Sequence, residues 1–223
     1  MTLIDKNGKK RIRQLRTFSK DIDADTEHKV IFFLSPSDIK NTAFLTYDYS
    51  DDGKDDDQWM YLPALKKTKH IPASDKDAAF MGSDFSYSDM TDKELDDYTF
   101  KLLKETTIKR KRGNEAVWVI ESLPNNQAII DETGYTKSIL YMRKDNYVLV
   151  RAKFYLKKSK RVKYMDVRKL AQINGIWVEM QTTMTIKQGK QTLHKTVLIN
   201  SDVEINKSID DAMFSVRKIE KGL

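Results

Sequence analysis

An apolar alternation of period two constrains this chain more than any other feature. From Tyr147 to Lys157, Val148, Val150, Ala152, Phe154 and Leu156 share one face, while Arg151, Lys153, Tyr155 and Lys157 share the other. A helix would need a spacing near 3.6, so the segment reads as a half-buried antiparallel strand. Gly175–Lys187 repeats the pattern: Val178, Met180, Thr182, Met184 and Ile186 alternate with Glu179, Gln181, Thr183 and Lys187. The apolar sets are expected to face a common interior and Arg151, Lys153 and Lys157 to face solvent. Further strands are expected at 9–20, 28–35, 42–49, 58–62, 66–71, 97–107, 115–122, 135–143, 161–170 and 190–200. Asn7-Gly8, Lys144-Asp145-Asn146, Asn174-Gly175 and Gln188-Gly189 supply hairpin turns. Strands joined so closely make an up-and-down sheet. About eleven of them are too many for a flat open sheet, so the fold class is mainly β: a single strongly curved antiparallel sheet closing into a barrel or half-barrel. Short helices are expected at 35–39, within 86–97 and at 208–214. No segment reads as a linker, so residues 1–223 form one domain.

Composition narrows the function classes. The 223 residues are 39% hydrophobic and 33% charged, and 10 Tyr, 9 Phe, 9 Met and 3 Trp suffice for a core. The longest apolar run, Val30-Ile31-Phe32-Phe33-Leu34, falls well short of the roughly 18 residues a spanning helix needs. There is no cysteine, which excludes disulfides, thiolate catalysis and iron–sulfur clusters. The eight glycines form neither a Gly-x-Ser-x-Gly elbow nor a phosphate loop, and His28, His70 and His194 lie far apart. No catalytic residue, cofactor or enzyme activity is expected. The acidic stretch Asp48, Asp51, Asp52, Asp55, Asp56 and Asp57 opens like a calcium loop with Gly53 at its sixth position, but the twelfth position is Trp59 instead of glutamate, so no metal is expected. The net charge is +7, with a basic run over 157–169. Those charges divide between two strand faces with no aromatic stacking platform beside them, which argues against nucleic acid as a partner.

The most informative block is Gln58-Trp59-Met60-Tyr61-Leu62-Pro63-Ala64-Leu65-Lys66-Lys67-Thr68-Lys69-His70-Ile71, followed by Ala79-Phe80-Met81-Gly82-Ser83-Asp84-Phe85-Ser86-Tyr87-Ser88-Asp89-Met90. Pro63 ends a strand because it cannot donate to a ladder. The loop after it carries more aromatic and Met side chains than a sheet's own core can absorb. It reads either as a plug in the barrel mouth or as a mobile lid over an apolar pocket. Trp59, Tyr61, Leu62, Leu65, Phe80, Met81, Phe85, Tyr87 and Met90 are therefore candidates to line or gate a cavity, with Phe154, Met180 and Met184 on its wall. Lys66, Lys67 and Lys69 are candidates for a rim that meets an anionic head group.

Trp59-x-Tyr61-Leu62-Pro63-Ala64-Leu65-Lys66-Lys67 with Phe80-Met81-Gly82-Ser83-Asp84-Phe85-Ser86-Tyr87-x-Asp89 resembles the outer-membrane lipoprotein-sorting proteins, relatives of the carriers LolA and LolB. The resemblance extends through Gly175-Ile176-Trp177 to Ile209-x-Asp211-x-x-Phe214. It implies an unclosed half-barrel with short helices across its concave apolar face, a Gram-negative periplasmic setting at or near the membrane, and a monomer that carries a lipid or acylated lipoprotein. It also implies a partnership with an exporter of the resistance-nodulation-division (RND) type. The family begins with a signal peptide and an N-terminal helix, whereas this sequence opens directly in the strand Met1-Thr2-Leu3-Ile4. The rival expectation is a non-enzymatic accessory or sensing module of an envelope complex that binds a protein partner.

Overall fold

A computed structural model describes residues 1–50, 54–110 and 113–223. The strands are β1 (Thr2–Asp5), β2 (Lys10–Ile12), β3 (Gln14–Asp21), β4 (Thr26–Ser35), β5 (Ala43–Tyr49), β6 (Asp57–Leu62), β7 (Lys67–His70), β8 (Tyr98–Arg110), β9 (Gly113–Pro124), β10 (Tyr135–Arg143), β11 (Leu149–Leu156), β12 (Arg161–Ile173), β13 (Ile176–Gln188) and β14 (Gln191–Ile199). Two short helices, α1 (Gln127–Thr133) and α2 (Val216–Lys221), accompany them. All pairings are antiparallel, and among the described residues the sheet does not close into a barrel, as the fold class requires.

The wall is built from two ladders. One has nine strands in the order β2-β1-β14-β13-β12-β11-β10-β9-β8, and the other has five in the order β3-β4-β5-β6-β7. The strand expected over 9–20 explains the division. It bends at Arg13, whose N–H still donates to Met1 O at 2.8 Å, while from Gln14 onward it pairs with β4. One extended run thus serves both ladders and turns the corner between them. At the other end the nine-stranded sheet curls so far that Arg110 on β8 reaches Asp166 on β12, with Nη1 to Oδ1 at 2.7 Å. Register shifts in the β8–β9, β10–β11 and β12–β13 pairs add bend and twist.

The five-stranded sheet is buried on both faces, which explains the uninterrupted apolar run in β4. Ile31, Phe33, Phe44 and Met60 face inward with Phe80, Phe85 and Met184. Val30, Phe32, Ala43 and Leu45 face outward and are covered by Phe214 and Ile219 of the C-terminal segment. Residues 71–97, between β7 and β8, contain short 3-10 turns at Ala73–Asp75, Phe80–Gly82, Ser88–Met90 and Leu95–Asp97. This segment lies between the two sheets and is called the plug below.

Helix is scarce, as expected, but its placement differs. Residues 35–39 form a turn closed by Ile39 N–H to Pro36 O at 3.2 Å, and Asn41 at φ 65° carries the chain into the next strand. The expected helix at 208–214 is a single 3-10 turn, Asp211–Met213, followed by α2 with Ser215 as its N-cap. The unforeseen α1 is delimited by an Asn126 N-cap, whose Oδ1 accepts from Ile129 N–H, and by Gly134 at φ 78°.

Candidate functional site

The plug is fixed by polar anchors. Asp84 Oδ2 accepts from Thr196 Oγ1 of β14 at 2.7 Å and lies 3.0 Å from His194 Nδ1. Thr196 Oγ1 in turn accepts from Asp84 N–H at 3.0 Å. Asp89 meets Lys163 Nζ of β12 at 2.9 Å and the Tyr135 hydroxyl of β10 at 2.7 Å, and its Oδ2 also accepts from Ser86 N–H at 2.8 Å. Burial raises the Tyr135 hydroxyl well above the usual tyrosine range, so it stays a donor. Lys76, almost wholly buried, donates to Glu132 of α1 at 2.6 Å and lies 3.9 Å from Asp56. Arg13, at the corner between the ladders, donates to Met81 O at 2.6 Å.

Beside the plug, on the concave face of the nine-stranded sheet, lies a cavity of about 750 Å³. This is the size of a small-molecule pocket, not of a packing defect. Leu140 of β10, Leu149 and Phe154 of β11, Met165 of β12, Met184 of β13 and Phe85 of the plug give it an apolar wall. Its mouth is acidic: among the described residues, nine carboxylates and two lysines line the cavity. Two of the carboxylates are shifted. Burial raises Asp56 above the usual range against the pull of Lys76, and burial raises Glu179, which accepts from Thr182 Oγ1 at 2.6 Å. Lys93 shows the reverse effect. Its Nζ sits 3.5 Å from the Tyr98 ring centroid and donates to Ser122 Oγ at 2.6 Å, and desolvation lowers its pKa to about 8.

Of the residues expected to form the site, the structure brings Phe85, Phe154 and Met184 to this cavity. Phe80 is instead fully buried in the core, its ring centroid 5.0 Å from that of Phe44, and has no surface to offer as a lid. Leu62, Met81, Tyr87 and Met90 pack against the same core, outside the cavity lining. Trp59 and Tyr61 lie on the opposite face of β6 from Met60, under the C-terminal segment. Leu65 sits in the turn after β6 and is 63% exposed. Lys66, Lys67 and Lys69 surround the start of the edge strand β7; none lines the cavity, and Lys69 is paired with Asp75 at 3.1 Å.

Strict alternation also fails on β13. Lys169 faces Gln181 and Leu170 faces Glu179, so Met180 is skipped as a bulge. The skip shifts the parity by one residue. Glu179 then lines the cavity, and Met180 leaves the place expected for it. Leu140 was accessible to the same alternation argument, but Glu179 and Leu149 were not: alternation puts Leu149 on the face of Arg151 and Lys153, and a register shift that skips Val150 brings it to the cavity. Of the acidic stretch, Asp51, Asp52 and Gly53 lie outside the described residues, and Asp48 points inward, accepting from Asp92 N–H at 2.7 Å.

A family model with the description Uncharacterized protein matches residues 25–221. No curated protein matches the chain. A domain from Vibrio parahaemolyticus, provisionally described as an outer membrane lipoprotein-sorting protein, superposes with a TM-score of 0.85 at 29% identity, covering 98% of this chain and 88% of its own. A DUF1329 family protein from Desulfovibrio piger gives a TM-score of 0.86 at 28% identity, with the same coverage of 98% and 88%. A LolA superfamily protein from Nitrosomonas europaea gives 0.60 at 17% identity over 97% of this chain and 90% of its own, a likeness of fold alone. The resemblance read from the Trp59 and Phe80 blocks is borne out by these structures.

Proposed function

The chain belongs to the family whose model spans residues 25–221, and we propose that it is a non-enzymatic carrier that shelters the apolar part of a lipid or an acylated lipoprotein. The observation that supports this reading is the cavity of about 750 Å³ with its wall of Leu140, Leu149, Phe154, Met165 and Met184. An acyl chain gains about 0.8 kcal/mol for each methylene it buries, so such a wall binds without needing specific polar contacts. The description of the Vibrio domain supports a periplasmic setting and a sorting or transport role. No helix among the described residues is long and apolar enough to cross a membrane. The whole cavity lies within one chain, which suits a monomer that hands its cargo to or from an envelope exporter such as the RND type.

A second reading, a protein-binding accessory or sensing module, is favoured by one feature. The edge strand β8 is exposed along most of its thirteen residues and carries Phe100, Leu102 and Leu103, at 41%, 56% and 45% exposure. A long edge of this kind can take a partner strand.

Native mass spectrometry after gentle purification from a Gram-negative host separates the two readings. Co-purified lipid, lost in a Leu140→Asp variant that still folds, supports the carrier. An empty cavity, no binding of the apolar dye N-phenylnaphthylamine, and a protein partner that is lost on Leu102→Lys would replace the carrier with the module.

A further inference from the structure

We infer that this cavity selects amphiphiles with a cationic, amine-type head group and turns anionic heads away, an inference that rests on the carrier reading. The chain as a whole carries +7, yet among the described residues nine carboxylates and two lysines line the cavity. The basic residues lie elsewhere, including Lys66, Lys67 and Lys69 around the start of β7. Part of the acidic lining is already neutralised: Asp89 by Lys163, and Glu132 and Asp56 by Lys76. Asp92 and Asp96 at the mouth form no ion pair among the described residues.

One further observation in the wall points to an ammonium: Glu179. The bulge at Met180 turns this carboxylate into a wall it shares with Met184 and Met165, where its hydrogen-bond partner is a neutral hydroxyl, Thr182 Oγ1. A carboxylate near apolar surface with no cation opposite is costly unless something supplies the opposite charge. A ligand ammonium entering beside it would do so. Among the described residues, an anionic head would meet Asp92, Asp96 and Glu179, with Lys54 and Lys93 as the lining cations.

The test uses the full chain and three ligands with the same twelve-carbon tail, each below its micelle threshold: dodecylammonium, dodecyl maltoside and dodecanoate. Isothermal titration calorimetry should show dodecylammonium binding about tenfold tighter than the maltoside, and dodecanoate weaker than both. Glu179→Gln, and separately Asp92→Asn with Asp96→Asn, should remove most of the ammonium advantage. Both should leave the far-ultraviolet circular dichroism unchanged, and the effect is read within each variant as the ratio of ammonium to maltoside affinity. Equal binding of all three ligands, a preference for dodecanoate, or an ammonium preference that survives both sets of substitutions would overturn the head-group inference and leave the carrier reading standing. If no ligand binds to a folded protein, the carrier reading fails and the inference fails with it.

Discussion

Lys163 of β12 holds Asp89 of the plug at 2.9 Å, and the Tyr135 hydroxyl bridges the two, reaching Asp89 at 2.7 Å and Lys163 at 2.5 Å. The charges are almost fully withdrawn from solvent, at 6% and 12% side-chain exposure. A pair in that setting gains little over apolar residues of the same shape, but removing one partner strands the other.

Lys163→Met should therefore cost about 3–5 kcal/mol in urea unfolding, because it leaves Asp89 charged and buried. Combining it with Asp89→Leu should recover part of that loss, with a coupling of about 1–3 kcal/mol. Strictly additive effects would show that the contact does not hold the plug. Amide exchange at Ser86, whose N–H donates to Asp89, should accelerate in the single variant.

Phe80 distinguishes a plug from a lid. Its ring is wholly buried between Phe33, Phe44 and Tyr87. Phe80→Ala should lower stability by about 3–5 kcal/mol, the usual cost of emptying a core aromatic site. A residue on a mobile lid would change it by only about 0.5 kcal/mol. Thermal unfolding followed by circular dichroism reads the difference directly.

How far the sequence reveals this molecule depends on where alternation holds. On β11 it places Ala152 and Phe154 correctly on the inner face. On β13 it holds from Met184 to Thr182 and fails at the Met180 bulge, because a skipped residue leaves no mark in an apolar pattern. On β6 the aromatic residues drew attention to the wrong face. Trp59 and Tyr61 look like cavity residues, but a sheet buried on both sides needs large apolar groups on each, and the segment covering the outer side arrives some 150 residues later. The block around Phe80 was recognisable as a motif. Its Asp84, Ser86 and Asp89 turn out to anchor the plug to β14, β10 and β12.

Asp48 links stability to pH. It is 5% exposed, and burial, reinforced by the neighbouring Asp56 and Asp92, raises its carboxyl to about 7 despite the hydrogen bond from Asp92 N–H. An unfolded aspartate titrates near 3.9, so between about pH 4 and pH 7 the folded chain holds a proton that the unfolded chain has released. The unfolded state binds fewer protons there, and stability falls as pH rises through that window. The loss is at most about 4 kcal/mol at 1.36 kcal/mol per pH unit. Asp48→Asn should match the wild type near pH 4, exceed it at pH 8, and flatten the profile between. A parallel pair of urea-midpoint curves across pH 4–8 would contradict this assignment.

Lys93 should be the most reactive lysine near pH 8 among the described residues. Desolvation in the notch over Tyr98 lowers its pKa to about 8, whereas an ordinary lysine titrates near 10.4. Acylating reagents attack the neutral amine. At pH 8 roughly half of Lys93 is neutral, against less than about 1% of an ordinary lysine. The residue as a whole is exposed while its amine packs over the Tyr98 ring, so reagent reaches it from the open side of the notch. Brief treatment with a limiting N-hydroxysuccinimide ester, read by peptide mass spectrometry, should modify Lys93 at least about tenfold faster than the exposed Lys66. Its advantage should decline as the pH is raised toward 10, where other lysines also become neutral. Filling the cavity with an amphiphile should protect it, since Lys93 and Tyr98 both line that space. Tyr98→Ala should open the notch to water, return the amine toward the ordinary range and slow its labelling at pH 8. Labelling of Lys93 at the rate of Lys66 in the wild type would mean that the notch does not desolvate the amine.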